Sequence, residues 1–155
     1  MPDQQQIVFK MLLKDKCIFL IRERMDSLRM AMNVAQDASN EETKSSAGDK
    51  YETSRAMEHL EKDMYARQLA ETGKEMASLM SIDCSVLYTS VSPGSFVRCE
   101  NISYFILSGM GKIDIKGELI YAISPNAPVA KSLLGKKKDD FVSINNGMQQ
   151  IKEVF

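Results

Sequence analysis

The run Ile18-Phe19-Leu20-Ile21-Arg22-Glu23-Arg24-Met25-Asp26-Ser27-Leu28-Arg29-Met30-Ala31-Met32-Asn33-Val34-Ala35 decides the fold. Within it Ile18, Ile21, Met25, Leu28, Met32 and Ala35 recur by alternating steps of three and four. That is the narrow seam of a coiled coil, not the broad stripe of a globular helix. Arg22, Glu23, Arg24, Asp26 and Arg29 fill the other faces and stay in water. Around this run, Gln4 to Ser39 contains neither glycine nor proline and is built mostly from good helix formers. Pro2 is tolerated at a helix start, where its missing N–H costs little. A helix from Ile7 to Ser39 is ~50 Å long, too long to bury itself in a small domain.

The pattern stops between Gln36 and Asp49, where Asp, Ser, Asn, Thr and Gly crowd together, and a second helical run extends from Tyr51 to about Met80. Its apolar positions are Met57, Leu60, Met64, Leu69, Met76 and Leu79, and Gly73 is its weak point, costing ~1 kcal/mol relative to alanine. Pairing Met32 with Met57, Leu28 with Leu60 and Met25 with Met64 keeps the total of the residue numbers at 88 or 89. A constant total is the mark of an antiparallel hairpin, with its turn near Lys44 and Ser45. Asp37, Glu41, Glu42, Asp49 and Glu52 surround that turn. Carboxylates there are candidate ligands for a hard divalent cation, or simply solvated and helix-capping charges, with Asp49 well placed to cap. His59, on a helix flank, reads as structural or exposed.

From Asp83 the period changes. Val86, Tyr88, Phe96, Val97, Ile102, Tyr104, Phe105 and Ile106 fall in short runs rich in β-branched and aromatic residues, with Ser92-Pro93-Gly94 and Ser108-Gly109-Met110-Gly111 as turns. Ile113 and Ile115, then Glu118 to Ile123, form further strands around Lys116-Gly117. Pro128 just inside a start and Gly135 just past an end predict a short helix over Val129–Leu134. Val142 and Ile144 form a strand, Asn145-Asn146-Gly147 a hairpin turn, and Ile151 to Phe155 the last strand. The expected fold is therefore α+β: an antiparallel coiled-coil hairpin over residues 1–80, and an antiparallel β domain with one short helix over 81–155.

A hydrophobic fraction of 44%, a charged fraction of 26% and a net charge of −1 are globular values with no basic excess to argue for nucleic-acid binding by charge. Cys17, Cys84 and Cys99, an odd and scattered set, argue against a disulfide framework or a zinc cluster and read as idle thiols in a reducing compartment. The apolar stretch Ile7–Ile21 is broken by Lys10, Lys14, Asp15 and Lys16, so neither a signal segment nor a membrane span is expected and the protein should be cytoplasmic. Lys136-Lys137-Lys138-Asp139-Asp140 reads as a solvated turn. No phosphate loop, nucleophile elbow or Cys/His ligand pattern occurs.

The stretch Ile123-Ser124-Pro125-Asn126-Ala127-Pro128-Val129-Ala130-Lys131-Ser132-Leu133-Leu134-Gly135-Lys136-Lys137-Lys138-Asp139-Asp140-Phe141-Val142 closely resembles the C-terminal signature of the Gre family of bacterial transcription elongation factors. That signature is a strand, Asn-Ser-Pro, a short helix ending Leu-(Leu/Ile)-Gly-Lys, an acidic turn and a strand. The resemblance implies an FKBP-like C-terminal domain that docks on RNA polymerase through Asn126, Ala127 and Pro128, with Ala127 in place of the family's serine. It also implies a coiled coil inserted into the secondary channel. There, two tip acids help hold a second magnesium ion while the polymerase cleaves backtracked RNA. On this reading the protein is no enzyme and has no cofactor of its own. Magnesium belongs to the polymerase active centre, and contact with nascent RNA or DNA is indirect. The family's tip reads approximately Asp-Leu-x-Glu-Asn-x-Glu-Tyr. Anchored on Tyr51, it aligns with Lys44-Ser45-Ser46-Ala47-Gly48-Asp49-Lys50-Tyr51, so Lys44 and Ala47 stand where the two acids should be. Glu41, Glu42 and Asp49 remain as candidate metal-binding carboxylates. Non-cleaving Gre relatives that occupy the channel are the alternative, as is the related regulator of nucleoside diphosphate kinase, whose coiled coil is much shorter. An interaction module that dimerises through its arm, in place of a monomer, is the reading from another class.

Overall fold

The computed structural model describes the backbone over residues 2–42 and 49–155, and side chains over 3–38 and 52–155. Two long helices, α1 (Pro2–Glu42) and α2 (Asp49–Met80), precede six strands. These are β1 (Phe96–Cys99), β2 (Ser103–Ile106), β3 (Gly111–Ile115), β4 (Glu118–Ile123), β5 (Phe141–Ile144) and β6 (Gly147–Val154), with a short α3 (Pro128–Leu133) between β4 and β5. The α+β expectation holds. The expected boundary near residue 80 does not describe the compact units. Met1–Phe19 joins Ala77–Phe155 in one unit, and Leu20–Met76 forms the other. The turn assigned to Lys44 and Ser45 lies outside the described residues. Among the described residues, no helix is long and apolar enough to cross a membrane.

In the helical unit, α1 behaves as its seam predicts: Ile21 and Ala35 are buried and Met25, Leu28 and Met32 half-buried. The face of α2 differs from expectation. Met57 and Leu60 are each 64% exposed and Met64 46%, so the outer apolar stripe points to solvent. The covered positions are instead Ser54, Glu58, Lys62, Tyr65, Leu69, Thr72 and Met76. The reason is phase. Counting back from Met76, these positions recur by fours and threes as one continuous stripe, whereas five positions separate Met64 from Leu69. A straight helix cannot present both stripes to one partner. The register moves with the phase. A constant total of 88 would set Gln36 against Glu52 and Arg24 against Met64. Instead Lys62 Nζ donates to Gln36 Oε1 and Arg24 pairs with Glu75 at 3.1 Å.

The sheet runs β3-β4-β2-β1-β6-β5. All neighbours are antiparallel except β2 and β4, which pair in parallel with Ser103 beside Ile120 and Ile106 beside Ile123. The fully antiparallel expectation is corrected here, because β3 forms a tight hairpin with β4 and the chain returns to β2 on the other edge of β4. The Lys116-Gly117 and Asn145-Asn146 turns have positive φ at both positions, as two-residue hairpins require. Val86 and Tyr88, expected in a strand, lie in an irregular segment that contributes only the isolated bridge between Ser90 and Lys137.

Alternation along the strands gives the sheet two apolar faces. On one, Val97, Cys99, Tyr104, Ile106, Val142, Ile144 and Ile151 pack with Val91 and with Ala130 and Leu133 of α3. On the other, Phe96 and Phe155 stack at 4.9 Å, and Phe9 of α1 meets Phe96 edge-to-face at 5.1 Å and 85°. Arg98 shares that face and is clasped by Glu118 at 2.9 Å and by Glu153, with Gln6 donating to Glu153 at 3.0 Å. Replacing Phe9 by alanine removes the aromatic plug of this face. Urea unfolding of Phe9→Ala is expected to show a loss of about 3 kcal/mol.

Candidate docking surface and tip

The C-terminal candidate is built by a helix start that lacks its usual side-chain cap. After β4, the Asn126 amide donates to Ser124 Oγ at 3.2 Å and the Ala127 amide to the Ser124 carbonyl at 3.0 Å, turning the chain. Ala127 is the N-cap, with φ −64° and ψ 146°, and offers no oxygen to the first turn. A serine there would contribute ~1 kcal/mol. Pro128 compensates in part, since its ring presets the helical φ at the first position and needs no acceptor. Ala130 and Leu133 then enter the core, which fixes the rotation of the helix. Asn126, Pro128, Lys131 and Ser132 are left exposed, with Ala127 half-buried between them.

The exit is fixed as firmly. Gly135 (φ +82°) donates to the Val91 carbonyl at 2.8 Å and Val91 donates back to Lys136 at 2.8 Å. The Lys137 amide donates to Asp140 Oδ2 at 2.8 Å, and Asp139 and Asp140 share two backbone bonds with Ile151, each of 2.8 Å. The lysine-rich turn is therefore a closed hydrogen-bonded unit whose Lys137 and Lys138 side chains face water. Asn126, Ala127 and Pro128, singled out by the sequence, are brought together at one end of α3.

The tip candidates are placed only by element: Glu41 and Glu42 close α1 and Asp49 opens α2, and their side chains lie outside the described residues. Lys44 and Ala47 lie outside the described residues altogether. Asp37 and Glu52, which are described, are exposed. Among the described residues no cluster of His, Cys, Asp or Glu is arranged to hold a metal ion.

Sequence reasoning missed the polar groups that α1 carries into its own unit. Lys10 is fully buried; its ammonium donates to the Val86 carbonyl at 2.9 Å and lies 4.9 Å from the Tyr88 ring centre. Lys14 donates to the carbonyl of Met80, the last residue of α2, at 3.3 Å and to that of Ile82, just beyond it, at 2.6 Å, and the final turn of α2 has no basic residue of its own. The signal was present in the spacing, since Lys10 and Lys14 share a helix face with Leu13 and Cys17. Burial pulls the Lys10 pKa down to about 8, against the opposing pull of Cys84 and Asp83. Burial pushes the Cys17 thiol up to about 12 and Cys99 up to about 11, and raises Cys84, whose thiol donates to the Lys10 carbonyl at 3.5 Å. All three thiols are free and buried, and with raised pKa values they are unreactive at neutral pH. The Asp83 carboxyl is held below its ordinary range by the Ser85 hydroxyl and amide. A groove of about 360 Å³ beside Gln4, Val8, Leu12 and Lys116 adds an apolar surface.

Because the Lys10 pKa is lower folded than unfolded, the unfolded chain binds the extra proton above pH 8, and stability rises with pH there. The thiols act in the opposite sense once pH passes their ordinary range. Between pH 8 and 9 the Lys10 contribution of about 1 kcal/mol opposes that of the thiols, so in urea unfolding Lys10→Met should lose about 1 kcal/mol more than the natural chain across this interval. No protein-family model matches the sequence, and no curated protein matches it.

Proposed function

We propose that the protein is a Gre-type factor that binds RNA polymerase in the cytoplasm and modulates elongation by inserting its helical hairpin into the secondary channel. The observation that carries this reading is the folding of Ile123–Val142 into the order that the Gre signature prescribes. It runs strand end, turn, Pro128-led helix, Gly135 exit, acid-containing turn and strand, with Asn126 and Pro128 exposed. A two-helix unit in the same chain supports it, and α3 against one face of the sheet supports an FKBP-like C-terminal domain. Fold alone would not supply this function. Asn126, Ala127 and Pro128 are the proposed contacts with polymerase. RNA and DNA are met only within the elongation complex, and the factor acts as a monomer.

The chemistry of cleavage would be two-metal hydrolysis by the polymerase, with tip carboxylates completing the second magnesium site. Lys44 and Ala47 at the aligned acid positions favour a second reading, in which the hairpin occupies the channel without cleavage. Neither ammonium nor methyl can ligate magnesium. Glu41, Glu42 and Asp49 are the carboxylates left for the first reading.

Core polymerase should co-purify with the natural protein, and Asn126→Ala with Pro128→Ala should weaken binding at least tenfold. Absence of binding by the natural protein overturns the proposal. Added to backtracked complexes with magnesium, a cleaving factor shortens the labelled RNA and loses that activity in Glu41→Gln, Glu42→Gln and Asp49→Asn. A non-cleaving one leaves RNA length unchanged while altering elongation or displacing a cleavage factor.

A further inference from the structure

The sheet ends on one side at β3, Gly111-Lys112-Ile113-Asp114-Ile115, whose neighbour is β4. Its hairpin fixes which backbone groups are spent. The two-residue turn Lys116-Gly117 makes Ile115 and Glu118 the closing hydrogen-bonded pair, so bonds recur at Ile113 with Ile120 and at Gly111 with Ala122. The Ala122 carbonyl faces this side, accepting from the Met110 amide at 3.1 Å. The N–H and C=O groups of Lys112 and Asp114 therefore point away from the sheet. Among the described residues, no backbone bond outside the strand ladder reaches them.

Such an edge is an open template for another strand, and a lysine on it usually keeps other chains away. Here the lysine has a counter-charge two positions on. Lys112 and Asp114 are both exposed on one face of the strand, while Ile113 and Ile115 are buried on the other. Lys112 Nζ stands 5.7 Å from the Tyr121 ring centre, and Asp114 Oδ1 accepts from the Gly117 amide at 2.9 Å, so both charges are held beside the strand.

Two copies of β3 that meet antiparallel about a two-fold axis must set outward-pointing residues against each other. Three registers centred in the strand do so. Lys112 against Lys112, or Asp114 against Asp114, opposes like charges, which destabilises the pair. Lys112 against Asp114, with the axis at Ile113, opposes unlike charges twice. The edge is self-complementary in that register alone.

We propose that free copies of the chain pair through β3 in this register, joining two sheets into one. The occupant of the edge is a second copy because a single strand carries both halves of the charge match. A strand of five residues makes a small interface, so the pair is weak and reversible. The monomer proposed above is the form that acts on polymerase, and the pair belongs to the unbound chain. Its test needs no polymerase, so the two readings fail separately.

Sedimentation of the full chain at low salt, up to high-micromolar concentration, should show a monomer–dimer equilibrium. Hydrogen exchange at the Lys112 and Asp114 amides should slow as concentration rises. Lys112→Glu and Asp114→Lys should each weaken self-association at least tenfold, because each opposes like charges. An equimolar mixture of the two variants should associate again, since every opposed pair is then unlike. Circular dichroism establishes that each variant is folded. A natural chain that stays monomeric overturns the proposal, as does a mixture that fails to associate. Association that survives both single changes and is lost in Leu60→Glu belongs to the helical arm and also overturns it.

Discussion

The edge-to-face contact of Phe9 with Phe96 is the constraint from which much of the sheet-bearing unit follows. It fixes the rotation of the first turns of α1 against one face of the sheet. Once Phe9 is seated, Lys10 and Lys14 reach the segment that follows α2, and Leu13 and Cys17 on the same helix face are buried. Two ammonium groups then serve carbonyls that would otherwise be left without partners. The lysines are there because the chain between α2 and β1 runs without regular structure and must satisfy its polar backbone by other means. Apolar burial sets the position, and the charged side chains complete the hydrogen bonding.

The opposite face is organised around α3, and the two faces impose different demands. α3 spans Pro128–Leu133, is too short to be stable alone, and depends on Ala130 and Leu133 in the core and on the clamp between Val91 and Gly135–Lys136. That dependence keeps Asn126 and Pro128 at a defined place on the surface. Arg98 has a comparable role on the first face. Glu118 and Glu153 neutralise it and Phe96 lies beneath it at 5.0 Å, so each of its three guanidinium nitrogens donates one bond that joins β1 to β4 or β6.

Much of this was legible in the residues. The 3-4 spacing of Ile18 to Ala35 identified the face of α1, Pro128 and Gly135 bracketed α3, and the Asn145-Asn146 turn was readable because only a few side chains accept positive φ twice in succession. The face of α2 was not legible, because hydrophobicity alone chose Met57, Leu60 and Met64. The actual phase is set at Leu69 and Met76, and three polar residues are carried along with it. The parallel pairing of β2 with β4 was equally hidden, since nothing local in a strand states which neighbour it will have. Lys10 was overlooked because a lysine is read as a surface residue until burial shows otherwise. For the candidate site, the motif singled out Asn126, Ala127 and Pro128, and what the fold adds is their place at the start of α3. The tip acids were visible only as a cluster of charges.

The tie between Gln6 and Glu153 spans 147 positions of sequence, and the Phe9–Phe155 contact accompanies it. The helical unit, Leu20–Met76, is an excursion between the two parts of the chain that these contacts join. A ribosome delivers that excursion whole, with its seam able to close, long before β6 emerges. During that interval the first turns of α1 carry Phe9 with no sheet to cover it. The order of synthesis thus leaves an apolar helix end waiting for most of the chain, which is the kind of surface a nascent-chain chaperone shields.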